Sequence, residues 1–252
     1  MVDLDSAADP LVVPWDGRLP RERCPLLSGY FAPLLPHFAA ETVAAGGSVL
    51  AALGPDGIDG LFLRRESERI GSIFARTPDA AARLYRTRGP MAVYSEHRLD
   101  PEPETYSVLA ADLPGSGPSH RFLHAVREAG PAEAAVVERL LTDVYGRADS
   151  AWLAASWSPS EHCLLAEIGG RPVGVAWVTV VGPLARFHSL SVLPRYRRIG
   201  IGTDLWHARA LRARAAGASR AITEIAESNA ASVAISTAGG MRRIGQVFEN
   251  RS

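Results

Sequence analysis

Three arginines and two glycines cluster within residues 195–202, directly after an apolar stretch. Residues 185–193 are apolar enough for a buried strand, which Pro194 ends because proline cannot donate to a strand ladder. After the glycines, apolar residues recur at helical spacing over residues 202–216. A helix N-terminus presents free backbone N–H groups and partial positive charge, and glycine lets a ligand approach that backbone closely. The stretch therefore predicts an anion site suited to a pyrophosphate.

Two familiar phosphate-binding motifs do not fit this anion site. A P-loop requires a lysine after its second glycine, and the chain contains no lysine. The dinucleotide-binding fingerprint requires a third glycine at position 205, where the chain has Leu205. An ordinary strand–helix turn with solvated arginines remains as the alternative that binds no ligand.

Residues 192–202 resemble the coenzyme A loop of the GNAT superfamily, the acyl-CoA-dependent N-acyltransferases. The superfamily pattern Arg/Gln-x-x-Gly-x-Gly/Ala is matched by Arg-Arg-Ile-Gly-Ile-Gly at residues 197–202, and the usual lead-in Val-x-Pro-x-Tyr-Arg is matched at residues 192–197. The resemblance implies an α/β (α+β) fold with a mixed central sheet flanked by helices. It also implies acetyl-CoA as co-substrate and direct transfer of the acetyl group to an amine acceptor.

The resemblance also assigns the coenzyme A contacts. Backbone groups of the central strand would hold the thioester carbonyl and the pantetheine, the loop would hold the pyrophosphate, and a later helix would contact the pantetheine arm. The implied cofactor-binding residues are Leu190, Ser191, Val192, Arg197, Arg198, Ile199, Gly200, Ile201, Gly202, Thr203, Asn229 and Ser232.

A general base is implied four residues before Val192, where the chain has His188. Histidine titrates near neutrality and suits proton abstraction, directly or through water. Strand alternation predicts that His188, Leu190 and Val192 share one face. The alternative is a half-buried strand histidine that only satisfies a hydrogen bond.

The acid that protonates the leaving thiolate is, in many members of the superfamily, a tyrosine seven residues after the helix asparagine. Counting from Asn229 gives Ser236, whose hydroxyl is far less acidic than a phenol. Three routes therefore stay open: protonation by Ser236, protonation by water, or unassisted departure of the thiolate. The serine also favours a second hypothesis, a non-catalytic acyl-CoA-binding sensor or scaffold.

Composition narrows the range of partners. The chain has 252 residues, 47% hydrophobic and 21% charged, with a formal net charge of +0. Neutral charge gives no indication of nucleic acid or a membrane surface as partner, and the absence of lysine excludes Schiff-base chemistry. Cys24 and Cys163 lie far apart, which favours a reducing cytoplasm over a disulfide framework. We expect no signal peptide, membrane span or metal, and a monomer or homodimer.

A linker rich in proline, glycine and serine at residues 112–119 predicts two domains. We expect an N-terminal α+β domain at residues 1–115 and the GNAT domain at residues 119–252. The first half repeats the element order of the second, which suggests a degenerate GNAT-like copy; an unrelated α+β domain is the alternative. At the matching junction the first half has Pro78, which lacks an N–H donor, and Asp79, which adds a negative charge. Both oppose binding of a pyrophosphate, so we predict one coenzyme A site per chain.

Overall fold

The computed structural model describes residues 12–15, 29–55, 57–65, 70–89, 91–113, 120–146, 153–154 and 157–251. The chain forms two compact units, one of Met1–Tyr106 with Gln246–Ser252 and the other of Ser107–Gly245. Most of the predicted linker, residues 114–119, lies outside the described residues. Within the described part of the chain, no helix is long and apolar enough to cross a membrane.

The first unit is a mixed sheet with two helices. Its strands β2 (Ser48–Gly54) and β3 (Gly57–Arg65) form a hairpin, and helix α2 (Pro78–Arg86) is capped by the Thr77 hydroxyl, which accepts from the Ala80 amide at 3.2 Å. The elements in chain order are β1 (Val12–Pro14), α1 (Leu35–Ala44), β2 (Ser48–Gly54), β3 (Gly57–Arg65), β4 (Ile70–Ala75), α2 (Pro78–Arg86) and β5 (Ala92–Ser95).

The second unit is also built of a mixed sheet and helices. Its strands lie in the order β6-β11-β10-β9-β8-β7. The elements in chain order are β6 (Glu104–Asp112), β7 (Ala125–Ala129), α3 (Ala134–Tyr145), β8 (Glu161–Ile168), β9 (Arg171–Val181), β10 (Leu184–Val192), α4 (Ile201–Ala215), β11 (Arg220–Ala226), α5 (Ala230–Ala238) and β12 (Arg242–Asn250). Residues 120–124, which precede β7, bind the Asp204 side chain of α4.

Both units repeat one pattern of strand pairing. Strands β1 to β4 pair antiparallel and β4 pairs parallel with β5; strands β7 to β10 pair antiparallel and β10 pairs parallel with β11. The helix between the parallel strands is α2 in the first unit and α4 in the second. The mixed α/β fold is therefore confirmed, and the first unit has the topology expected of a second copy.

The end of β12 belongs to the first unit, whereas the sequence analysis expected residues 119–252 to form one domain. Phe248, Glu249 and Asn250 pair antiparallel with strand β5. The side-chain oxygen of Asn250 also accepts from the amides of Leu99 and Asp100 at 2.9 and 3.0 Å. These contacts satisfy backbone groups that would otherwise be buried without partners.

Helices α3 and α4 cover opposite faces of the second sheet. Gly174 on β9 lies against α4, since an added Cβ would stand 3.0 Å from Ile201 Cγ2 and 3.1 Å from Leu205 Cδ1. The next residue, Val175, points to the other face. Its partner on β10 is Ser191, which contacts Tyr145 at the end of α3. The end of β10 therefore has one face toward α4 and the opposite face toward α3.

Candidate functional site

A β-bulge near the end of β10 sets which side chains share a face. The pairing of β10 with β9 jumps between His188, opposite Trp177, and Ser191, opposite Val175. Ser189 within the bulge has φ 52°, a conformation that non-glycine residues rarely adopt. Ser191 therefore shares the face of His188, and the predicted grouping with Leu190 and Val192 is wrong because the bulge shifts the alternation.

His188 is held by a carboxylate and a hydroxyl. Its Nε2 lies 3.1 Å from Glu161 Oε2 and 3.0 Å from Thr179 Oγ1, and the Thr179 hydroxyl donates to Glu161 Oε1 at 2.6 Å. The Glu161 side chain is 3% exposed. A carboxylate accepts only, so this network assigns the proton to Nε2. The lone pair is then on Nδ1, which lies 3.2 Å from the hydroxyl of Ser189.

A tyrosine hydroxyl stands on the same face. Tyr145 Oη lies 2.7 Å from Ser191 Oγ, and most of the Tyr145 side chain is exposed. Ser191 itself is buried. The face that carries His188 therefore also carries the Tyr145 hydroxyl, which is bonded to Ser191 three residues beyond His188.

The glycine loop joins β10 to α4 as predicted. Arg197 Nε donates to the Val192 carbonyl at 3.0 Å, which holds the loop against the strand end. Arg198 and Gly200 have φ 67° and 96°, and Gly200 is the N-cap of α4. No side chain of the described residues caps this end. The first N–H groups of α4 therefore lack the side-chain acceptor that usually covers them.

The two loop glycines serve different purposes. A Cβ at Gly200 would lie 3.1 Å from Leu123 Cδ1, and the residue needs a positive φ. A Cβ at Gly202 would lie 2.9 Å from Ile235 Cδ1 on α5. Gly202 therefore allows close packing of α4 on α5, in addition to any role toward a ligand.

Helix α5 carries the remaining predicted residues. Asn229 is its N-cap, as predicted, and accepts from the Ser232 amide at 3.2 Å. Ser236 is 4% exposed, and its carbonyl accepts from the Met241 amide at 3.0 Å. The structure thus brings Asn229 to an exposed helix end and places the Ser236 hydroxyl in the interior.

A buried arginine lies beneath the bulge. Arg209 on α4 is 4% exposed, its guanidinium carbon stands 4.8 Å from the Phe187 ring centroid, and Nη1 donates a long hydrogen bond to the His188 carbonyl at 3.4 Å. No carboxylate of the described residues pairs with it, and burial alone lowers the pKa of Arg209 to about 9. This cation contacts the strand just before the bulge.

Sequence reasoning missed several of these side chains. Glu161 and Thr179 contact His188 from the two neighbouring strands β8 and β9. Their contact with His188 could have been predicted only from the order of strands β8, β9 and β10 together with the alternation of side chains along each strand. Tyr145 was overlooked as the last residue of a helix. The sequence analysis assigned no role to His120 and His124; among the described residues no group of three or more His, Cys, Asp or Glu side chains is arranged so that it could hold a metal ion.

Comparison with known proteins supports the resemblance seen in the glycine loop and the mixed α/β fold. Residues 135–236 match the family model described as the Acetyltransferase (GNAT) family. A Drosophila protein superposes with TM-score 0.65 at 14% identity, over 95% of this chain and 98% of its own. A GCN5-related N-acetyltransferase from Sphaerobacter thermophilus superposes with TM-score 0.58 at 14% identity, over 97% of each chain.

A third solved structure covers less of the chain. A GCN5-related N-acetyltransferase from Kribbella flavida superposes with TM-score 0.55 at 14% identity, over 76% of this chain and 85% of its own. No curated protein matches the sequence significantly. At these identities the structural likeness shows a common fold, and two of the three structures match over nearly the whole chain.

Proposed function

We propose that this chain, whose residues 135–236 match the Acetyltransferase (GNAT) family model, transfers an acetyl group from acetyl-CoA to a primary amine of a small molecule or peptide. The observation that carries the proposal is His188, held by Glu161 and Thr179 beside the bulge of β10. An oriented imidazole next to the expected thioester position is the arrangement that general-base catalysis needs.

Coenzyme A is proposed to lie along the end of β10 and the start of α4. The uncapped N-terminus of α4 and the exposed Arg198 suit the pyrophosphate. Backbone groups of residues 190–192 would hold the pantetheine and the thioester carbonyl, and the side-chain NH₂ of Asn229 would contact the pantetheine arm. Arg197 supports the loop through its bond to Val192, so its role is to shape the site.

The reaction proposed is direct transfer. The amine nitrogen attacks the thioester carbonyl carbon, the C–N bond forms, and the C–S bond breaks to release the thiolate. His188 Nδ1 takes the amine proton, directly or through the Ser189 hydroxyl at 3.2 Å. Glu161 compensates the positive charge that the ring gains. Holding both reactants in line supplies much of the acceleration.

The thiolate still requires a proton. The buried position of Ser236 does not favour it as donor. The Tyr145 hydroxyl, which lies 2.7 Å from Ser191 Oγ, is the better-placed protein group, and water is the alternative. A tyrosine hydroxyl open to solvent regains its proton from water after each turnover.

Release of free thiol from acetyl-CoA tests the proposal. The wild-type chain is assayed with a panel of amines, amino acids and aminoglycosides, beside a His188→Gln variant that cannot take up the proton. We expect amine-dependent thiol release in the wild type and a loss of about 10²–10⁴-fold in the variant. Tight coenzyme A binding without thiol release for any amine would favour the alternative, a non-catalytic acyl-CoA-binding module.

A further inference from the structure

Asp204, in the first turn of α4, is the centre of a polar cluster outside the reaction face. Its side chain is 1% exposed. Its two oxygens accept from His120 Nε2 at 2.7 Å and from His124 Nδ1 at 2.8 Å. The backbone amides of Leu123 and His124 donate to it as well, at 3.2 and 3.0 Å. One carboxylate therefore fixes the segment of residues 120–124 against the cofactor helix.

This segment lies directly beside the glycine loop. An added Cβ on Gly200 would stand 3.1 Å from Leu123 Cδ1 and 3.8 Å from His124 Cε1. Cε1 is the ring carbon between the two nitrogens. With Nδ1 bonded to Asp204, Nε2 is the nitrogen left for a ligand, and within the described part of the chain it makes no hydrogen bond.

We propose that His124, positioned by Asp204, is a phosphate-binding residue that makes coenzyme A binding depend on proton uptake. The proposal deepens the proposed function and rests on the coenzyme A site at residues 197–203. Because the Asp204 carboxylate only accepts, the Nδ1 proton of His124 is fixed. Neutral His124 then presents a lone pair at Nε2, which a phosphate oxygen cannot use. Protonated His124 presents an N–H donor, which forms a charge-assisted hydrogen bond.

The surrounding charges explain why a proton is needed. Asp204 places a negative charge within one turn of the expected pyrophosphate. Burial raises the pKa of Asp204, but the hydrogen bonds from His120, His124 and the two amides outweigh it and hold the pKa below its usual value. The carboxylate therefore stays ionised, and a protonated histidine beside it offsets its repulsion of the ligand.

The other groups that face the cluster are basic. The His207 ring stacks on His120 with centroids 3.9 Å apart. Burial lowers the pKa of His207, His120 and Arg214 lower it further, and Asp204 acts in the opposite direction. His207 is therefore biased toward its neutral form, and His124 is the histidine of the cluster that lies beside Gly200.

The sign of the pH dependence follows from this geometry. A ligand that binds the protonated form of His124 raises proton occupancy at Nε2, so binding takes up protons at neutral and higher pH. The dissociation constant should then rise as pH increases, because the ligand binds the form of His124 that carries the extra proton. We expect about a tenfold increase between pH 5.5 and 8.5, as for a charged hydrogen bond.

Isothermal titration calorimetry in buffers of different ionisation enthalpy measures this proton uptake. The ligand is 3′-dephospho-coenzyme A, which keeps the pyrophosphate and lacks the 3′-phosphate, a group that itself titrates near pH 6. Pantetheine, which has no phosphate, serves as the control ligand. We expect proton uptake with the first ligand and none with pantetheine.

Two matched variants separate His124 from its neighbour. His124→Asn keeps an amide donor near the position of Nδ1 and removes Nε2, so we expect it to abolish both proton uptake and the pH dependence. His120→Gln keeps a donor near the position of Nε2, its contact to Asp204, and should retain both. Melting curves of the two variants show whether the segment remains folded.

The outcomes distinguish this inference from the proposed function. Binding of 3′-dephospho-coenzyme A with the same proton uptake in His124→Asn as in wild type overturns the role of His124 and leaves the coenzyme A site intact. Loss of proton uptake in His120→Gln alone also overturns it, because the proton would then reside on His120. Absence of any coenzyme A binding by wild type contradicts the proposed function itself.

Discussion

Glu161 decides which nitrogen of His188 carries the proton, so removing its charge tests the base directly. Glu161→Gln keeps the size of the side chain and removes the negative charge that compensates the imidazolium. We expect turnover to fall about tenfold or more, since the base becomes both less well oriented and less stabilised when charged, while acetyl-CoA affinity stays unchanged. Steady-state kinetics over pH 5.5–9 supply the measurement.

Thr179→Val is the matched control for that experiment. It removes the hydroxyl that bridges Glu161 and His188 and keeps the carboxylate. Its turnover should therefore fall less than that of Glu161→Gln, with a pH profile of wild-type shape. A Glu161→Gln profile identical to that of wild type in both height and shape would show that the carboxylate only packs against the ring.

Arg209 combines a cost in stability with a role beside the site. Burial lowers its pKa to about 9, so the folded state holds the charged form unfavourably at neutral pH, and this cost disappears only as pH rises above 9. Arg209→Met removes the charge and fills the space. We expect the free energy of unfolding at pH 7 to rise by on the order of 1–4 kcal/mol, while turnover falls because the His188 carbonyl loses its donor.

Arg209→Lys separates the two effects, since it keeps a cation and should not gain stability. Denaturant unfolding and kcat are measured on both variants. A less stable Arg209→Met would mean that the guanidinium's contacts with Phe187 and His188 outweigh its desolvation. Nothing in the sequence indicated this residue, because an arginine among other helix arginines is indistinguishable from a solvated one until the burial of its neighbours is known.

The glycine loop offers a test of packing between helices. Gly202→Ala would bring its Cβ within 2.9 Å of Ile235 Cδ1. Ile235→Val lacks that atom, so the double variant should recover the melting temperature and coenzyme A affinity that Gly202→Ala loses. Gly200→Ala should lose about 1 kcal/mol of stability through its positive φ, and Ile235→Val should not restore it.

Thermal melts and calorimetric titration of the three single variants and of both double variants, Gly202→Ala/Ile235→Val and Gly200→Ala/Ile235→Val, check this pair of expectations. Rescue of Gly200→Ala by Ile235→Val would contradict the separation of roles. An affinity of Gly202→Ala/Ile235→Val as low as that of Gly202→Ala alone would instead mean that position 202 faces the ligand.

Elements with strong local signals were predictable from sequence. The turn between β2 and β3, the Thr77 cap of α2, the glycine turn at residues 169–170 and the Asn229 cap of α5 depend on residues within a few positions of one another. The bulge in β10 and the unpaired segment of residues 120–124 were not predictable. The bulge depends on the pairing of β10 with β9, and residues 120–124 depend on their bonds to Asp204. Both are contacts between residues far apart in the sequence, which no local pattern encodes.

The last strand of the chain, β12, ends in the first unit and completes its side-chain contacts. The Glu249 carboxylate accepts from the hydroxyls of Tyr94 and Tyr106 at 3.1 and 2.7 Å and from Arg251 at 2.6 Å. Burial raises the pKa of Glu249, but these bonds outweigh it and hold the pKa below its usual value. A fragment that ends near residue 115 lacks this strand, so experiments on the first unit need the full chain.

The full chain should bind one coenzyme A. Helix α2 occupies the position in the first unit that α4 has in the second, but its N-terminus is already satisfied. Pro78 has no N–H, the Ala80 amide donates to Thr77, and the exposed Asp79 adds a negative charge. At α4 the corresponding end begins with Gly200 and has no side-chain cap among the described residues.

Calorimetric titration of the full chain with coenzyme A should therefore give a stoichiometry near one. Two matched variants each replace one arginine by alanine, one in each half of the chain. Arg198→Ala at the loop should weaken binding by about tenfold, because it loses one charge-assisted hydrogen bond. Arg76→Ala, two residues before the start of α2, should leave affinity and stoichiometry unchanged. A stoichiometry of two, with one site lost in Arg76→Ala, would show that the first unit binds coenzyme A despite its proline and aspartate.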